Sequence, residues 1–197
     1  MNVPANKSFA ANKGNKDFFF YHIEQVVELD YLKRKFKLFF KEELDDSLIP
    51  SRNGNETLKT KKIDGFGTYL YYSKQGKMQF HEFVLDLICK SLKQSKIAFR
   101  RPNKKRGSDL IINKIHIELE IRSDPSKQPE NRPALLSRIK QHPDSSLILC
   151  LTERDKKTYR SARPISILNG YKTILTVQEF LQNPRKYTGL ESKETLF

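Results

Sequence analysis

The segment Asp109-Leu-Ile-Ile-Asn-Lys-Ile-His-Ile-Glu-Leu-Glu-Ile-Arg122 constrains the fold of this chain more than any other stretch. Leu110 and Ile112 precede an Asn113-Lys114 pair, and Ile115, Ile117, Leu119 and Ile121 follow it, so apolar residues occupy every second position. A period of two belongs to a strand, and a polar pair between two such runs marks a β-hairpin. A two-residue turn then fixes the register: Ile112 opposes Ile115, Ile111 opposes His116, Leu110 opposes Ile117 and Asp109 opposes Glu118. The apolar face belongs to the core. The other face carries Asp109 and Glu118, with Cβ atoms roughly 4.5–5.5 Å apart if directly opposed, and Glu120 on the diagonal.

Opposed like charges destabilise a sheet, so three converging acids call for a counter-charge. A divalent cation supplies one: carboxylates are the hard ligands of Mg²⁺, which takes one or two of them and completes its shell with water and substrate phosphate. Mg²⁺, or Mn²⁺ in its place, is therefore the expected cofactor, with Asp109, Glu118 and Glu120 as candidate metal ligands. The plainer reading is a wet edge strand on which Arg122 neutralises a neighbour. That reading must also explain an acid facing an acid.

Charge identifies the partner. The 197 residues hold 37 Lys plus Arg against 23 Asp plus Glu, a formal net charge of +14 that suits a phosphate-rich polymer. Arg100, Arg101, Lys104, Lys105 and Arg106 immediately precede the strand of Asp109, which places a basic rim beside the acidic patch. DNA is the expected partner. Cys89 and Cys150 both lie in apolar runs and make neither a disulfide framework nor a zinc cluster. No apolar stretch approaches the length of a membrane span, so the expectation is a cytoplasmic protein without a membrane partner. Residues 1–16 are polar and read as a disordered arm without a secretory signal. There is no Walker loop, dinucleotide fingerprint or Ser-His-Asp pattern, which argues against nucleotide hydrolysis and acyl transfer.

Residues 17–77 read as a small α+β unit. Leu32, Phe36, Phe39, Phe40 and Leu44 recur at helical spacing after Asp30, an expected N-cap, while Lys33, Arg34 and Lys37 mark a basic outer face for phosphate contacts. Residues 66–79 are aromatic and β-forming around Ser73-Lys-Gln-Gly76, which predicts a hairpin over Thr68 to Met78. Helix and ribbon together suggest a winged helix. Residues 78–197 read as a second domain. Its expected elements are a helix from Met78 to about Lys96, a strand at 97–99, the acidic hairpin, a helix begun by Pro133, a strand at 147–151, extended chain at 171–175, and a last helix opened by a Thr176-x-x-Glu179 capping box and closed near Asn183-Pro184. The plan is α/β, a mixed sheet flanked by helices.

Helix, strand, an Asp-bearing strand paired with a Glu-x-(Lys or equivalent) strand, then helix and strand resembles the PD-(D/E)XK nuclease superfamily over about Phe80 to Leu151. Ser108-Asp109 stands where the family has Pro-Asp, and the second half-motif fits either Glu118-Leu-Glu120 or Glu120-Ile-Arg122, neither with the usual lysine. The resemblance implies a restriction-endonuclease-like sheet and a metal-dependent DNA endonuclease in which Asp109 and Glu118 hold metal. Glu120 takes the lysine position, Arg122 supplies positive charge, Glu82 is an auxiliary acid, and Lys140 or Gln141 is a polar residue from the following helix. The two-part layout, with Tyr71-Tyr-Ser-Lys-Gln-Gly76 and His81, also resembles the replication-relaxation and mobilisation accessory proteins of plasmids. That likeness implies an alternative, a nuclease-fold protein that binds DNA in plasmid mobilisation, replication or transposition without cutting it. Either reading accommodates a homodimer or a partner protein in a larger DNA-processing complex.

Overall fold

The computed structural model describes residues 26–45, 58–72, 76–102, 108–121, 146–161 and 174–190. These form two units, residues 1–62 with 67–83, and residues 63–66 with 84–197.

The first unit contains strand β1 (Val27–Glu28), helix α1 (Leu29–Phe40), strands β2 (Leu58–Ile63) and β3 (Gly67–Tyr72), and the opening turns of helix α2 (Gly76–Gln94). The three strands make a small antiparallel sheet in the order β1-β3-β2, with Val27 opposite Leu70 and Glu28 opposite Tyr69. Alternation along β3 serves two cores. Leu70 joins Leu32, Phe36 and Leu44 in a buried cluster beneath α1. Tyr69 and Tyr71, on the opposite face, meet Phe83 and Phe80 of α2 with ring centroids 4.9 and 4.8 Å apart. Burial pushes both phenols above the ordinary tyrosine value, and the Glu28 charge adds to the effect at Tyr69.

Two expectations are corrected here. Helix α1 starts at Leu29 with Glu28 as an N-cap that makes no side-chain bond, so Asp30 lies in the first turn. It ends at Phe40, where Lys41 turns left-handed (φ 60°) and its N–H bonds the Lys37 carbonyl; Leu44 reaches the core from beyond the helix. The ribbon is also displaced along the chain. The partner of β3 is Leu58–Ile63, not the segment after Gly76, which is already helical. Gly65 (φ 78°) and Gly67 (φ 106°) supply the left-handed backbone of the 64–66 turn. The expected turn at Ser73 to Gln75 lies outside the described residues.

The second unit is built on a mixed four-stranded sheet of β4 (Leu110–Ile112), β5 (Ile115–Glu120), β6 (Ser146–Cys150) and β7 (Ile174–Thr176), in that order. The β4–β5 register is the one read from the sequence: Leu110 opposite Ile117, Ile111 opposite His116, Ile112 opposite Ile115. Asn113 (φ 45°) and Lys114 (φ 70°) are both left-handed, as a type I′ turn requires. β5, β6 and β7 run parallel. The expected strand at 97–99 is instead a single bridge: Arg100 and Ile111 exchange both backbone hydrogen bonds, at 2.9 and 2.8 Å. Bonded pairs alternate in an antiparallel ladder, so Ile111 directs its backbone groups away from β5 and toward Arg100.

Helix α2 ends where Lys96 turns left-handed (φ 53°) and the Ile97 N–H returns 2.9 Å to the Leu92 carbonyl. Helix α3 (Glu153–Ser161) follows β6 and has no counterpart in the sequence reading. Its signal was Thr152-x-x-Asp155: Thr152 Oγ1 accepts from the Asp155 N–H at 3.1 Å and donates to its carboxylate at 2.8 Å. Helices α4 (Val177–Gln182) and α5 (Pro184–Tyr187) end the described chain. The Thr176–Glu179 capping box is present as read, and the break falls at Asn183. The expected helix from Pro133 lies outside the described residues. Among the described residues no helix is long and apolar enough to cross a membrane.

Candidate functional site

Because β5 to β7 are parallel and β4 opposes them, Glu120, Thr152, Thr176 and Asp109 all fall at one end of the sheet, the carboxyl edge of the parallel strands. In open α/β sheets that edge is where ligands bind.

The hairpin builds the acidic part. Leu110, Ile112 and Ile117 are fully buried and Leu119 nearly so, which makes their face the core, as the alternation requires. The other face of β5 carries His116, Glu118 and Glu120. Continued by one residue, the observed register sets Asp109 opposite Glu118. There the main-chain ladder gives way to a side chain: Asp109 Oδ2 accepts the Leu119 N–H at 2.7 Å. A short acidic side chain competing for a backbone donor is a common way for such pairing to end. It ties the Asp109 carboxylate to the backbone between Glu118 and Glu120.

Glu118 is 4% exposed, and its registered neighbours Ile148 and Ile174 are equally enclosed. A carboxylate in such a row is costly to bury unless it is compensated. Glu120, half-buried at the strand's end, accepts a hydrogen bond from the Tyr159 hydroxyl at 3.0 Å. That places α3 over the acidic face at Glu120. Ser108 Oγ lies 2.9 Å from His116 Nδ1, fastening the residue before Asp109 to the same face.

Around the edge the described residues are committed to structure. Lys156, 6% exposed on α3, donates to Glu179 and, at 2.9 Å, to Glu153. Burial pushes the Lys156 ammonium down, but the two carboxylates outweigh it and hold it above the ordinary lysine value. Burial likewise pushes Glu179 up, and Lys156 with the Thr176 N–H brings it net below the ordinary carboxylate value. Asp64, in the 63–66 turn, accepts the Glu153 N–H at 2.8 Å and donates its own N–H to the Leu151 carbonyl at 3.0 Å. The start of α3 thus carries an internal carboxylate.

The remaining expected site residues divide as follows. Arg100 is exposed and makes the bridge to Ile111; Arg101, also exposed, donates to Asp86 at 2.8 Å. Glu82 belongs to the first unit, 3.8 Å from His81 Nδ1. On α1, Arg34 and Lys37 are exposed and Lys33 half-buried, with Lys37 paired to Glu43. Lys104, Lys105, Arg106, Arg122, Lys140 and Gln141 lie outside the described residues. Tyr159, Lys156 and Asp64 were not read from the sequence. The first two ride on the unforeseen α3, and the third sat in what looked like the approach to a hairpin.

Among the described residues no group of three or more His, Cys, Asp and Glu side chains is arranged to hold a metal ion. The expected three-carboxylate set therefore narrows to the opposed pair Asp109 and Glu118. Two carboxylates fit Mg²⁺ or Mn²⁺, whose remaining positions go to water and phosphate.

Comparison with protein families, with curated proteins and with solved structures found no match to this chain.

Proposed function

We propose that this protein is a metal-dependent DNA endonuclease of the PD-(D/E)XK type. The observation that carries the reading is the Asp109–Leu119 hydrogen bond, which anchors an acid at the start of β4 against the β5 segment bearing Glu118 and Glu120. The order of elements supports it: a helix, a bridged segment, an Asp-bearing strand antiparallel to a Glu-x-Glu strand, and a parallel strand beyond. Asp109 and Glu118 would hold Mg²⁺ or Mn²⁺. When bound, the ion would polarise the scissile phosphate and lower the pKa of a water. Glu120 stands in the lysine position and orients water or accepts a proton, since a carboxylate cannot stabilise developing negative charge as lysine does. Arg100 and Arg101, with Lys104 to Arg106, would hold the DNA backbone. The first unit adds a winged-helix-like DNA contact through α1 and the β2–β3 ribbon, whose second strand pairs with the short strand ahead of α1.

A second reading is favoured by one observation: Asp109 and Glu120 both spend a carboxylate oxygen on protein donors. That suits a nuclease fold retained for DNA binding alone, within a replication, mobilisation or transposition complex. Labelled plasmid, linear and branched DNA incubated with purified protein in Mn²⁺ or EDTA separates the two. Asp109→Asn keeps an acceptor for the Leu119 N–H and removes the charge, so it should bind DNA and fail to cleave it. Equal cleavage by wild type and Asp109→Asn contradicts the nuclease reading.

A further inference from the structure

We infer that Tyr159 is a positioning residue for the acidic site, acting through Glu120; the inference rests on the metal-site reading above. Tyr159 is 2% exposed on α3, and a buried phenol requires a hydrogen-bond partner. Its hydroxyl donates to Glu120 Oε2 at 3.0 Å across 39 positions of sequence. Glu120 closes β5 at the carboxyl edge, where the long side chain of a strand-terminal glutamate would otherwise sample several rotamers. The bond fixes one.

The anchor itself is rigid. Helix α3 is held at its start by the Thr152–Asp155 cap and by the Asp64 carboxylate on the Glu153 N–H. In its middle Lys156, one turn before Tyr159, bonds Glu179 and Glu153. At its end Arg160 Nη2 reaches the Ile174 carbonyl at 3.3 Å. These restraints set the phenol at a defined place over the sheet, so the position of Glu120 is determined by how β6, α3 and β7 pack. Residues that orient the ligands and bases of a metal site typically change metal affinity or activity by about 10–100-fold when they are lost.

The test titrates Mn²⁺ alone into wild type, Tyr159→Phe, Glu120→Gln and the double variant by calorimetry, with thermal unfolding in parallel. Tyr159→Phe removes only the hydroxyl and should weaken Mn²⁺ binding by about tenfold while the unfolding midpoint stays within a few degrees. In the Glu120→Gln background the same change should have little further effect, because the role of Tyr159 passes through Glu120. Wild-type binding that Tyr159→Phe leaves unchanged overturns the role of Tyr159 and spares the metal site. A loss that is equally large in both backgrounds overturns it too, as a packing effect. Wild type that binds no Mn²⁺ overturns the metal-site reading, and this inference with it. Should Tyr159→Phe fail to fold, Glu120→Gln carries the test: unchanged affinity there removes Glu120, and so Tyr159, from the site.

Discussion

Replacing Glu179 by Gln should destabilise the second unit more than replacing Lys156 by Met, although both substitutions break the same ion pair. Burial makes the difference. The Lys156 side chain is 7% exposed and that of Glu179 is 33% exposed. With Glu179 neutral, the ammonium stays enclosed and keeps only Glu153, whose side chain is 53% exposed and therefore a screened partner. Removing one member of a fully buried pair costs about 3–5 kcal/mol. Partners as open as these bring the expected loss for Glu179→Gln to roughly 2 kcal/mol. Lys156→Met leaves an apolar stem in place, and Glu179 keeps the Thr176 N–H at 2.8 Å and access to water, so roughly 1 kcal/mol is expected. The losses share one interaction and should not add: the double variant should fall short of the sum by roughly 1 kcal/mol. Acid supplies an independent check. The folded Glu179 carboxyl is lowered, so its contribution is present above the unfolded value of about 4.3 and is lost as pH falls through the lower folded value. The raised Lys156 works in the opposite sense, contributing below about 10.4 and losing its effect as pH rises through the higher folded value. Urea midpoints by far-ultraviolet circular dichroism at pH 7 and between about pH 5 and 3 should show wild type losing more stability than Glu179→Gln. Equal costs of the two single substitutions, additivity in the double variant, or identical acid dependence would refute the reasoning.

Lys114 holds a left-handed conformation in a type I′ turn, where Gly is the preferred second residue. Lys114→Gly should raise stability by roughly 0.5–1 kcal/mol, read from the urea midpoint. Gly65 combines φ 78° with a Cβ position 2.7 Å from the Gln178 side chain. Gly65→Ala should cost roughly 1–3 kcal/mol, and Gln178→Ala should recover only the steric share in a double-variant melt. Neutralising Lys33, Arg34 and Lys37 together should weaken DNA binding and flatten the slope of log affinity against log salt by about 0.9 per lost phosphate contact. Lys37 should contribute least because Glu43 already engages it, and an unchanged slope in a fluorescence-anisotropy titration would remove α1 from the DNA interface.

What the sequence made legible follows from the range of each determinant. The acidic hairpin was read to the residue because a two-residue turn and a period of two are local, and together they leave one register. The Thr176–Glu179 box and the Asn183 break were legible for the same reason. Helix α3 was missed because its apolar periodicity is weak. Within Glu153–Ser161 it buries Asp155, Lys156 and Tyr159, and the charged pair becomes compatible with burial only through Thr152, Glu179 and Glu153. The ribbon of the first unit was shifted because Leu58–Ile63 is lysine-rich and reads as solvent-facing chain, while β3 beside it is strongly β-forming. The pairing of β2 with β3 depends on the glycine turn between them. Within the site, Asp109 and Glu118 were legible from alternation. Tyr159 was not, since its partner lies on another element and no local pattern encodes that contact.

The account stands or falls on whether Asp109 and Glu118 together hold a divalent cation. Calorimetric titration of Mn²⁺ into wild type and Glu118→Gln, in EDTA-treated protein with the fold checked by circular dichroism, measures this directly. The expected result is saturable binding in wild type that disappears in Glu118→Gln. Absence of binding in wild type, or binding that survives the substitution, would contradict the metal-dependent site and leave the DNA-binding reading in its place.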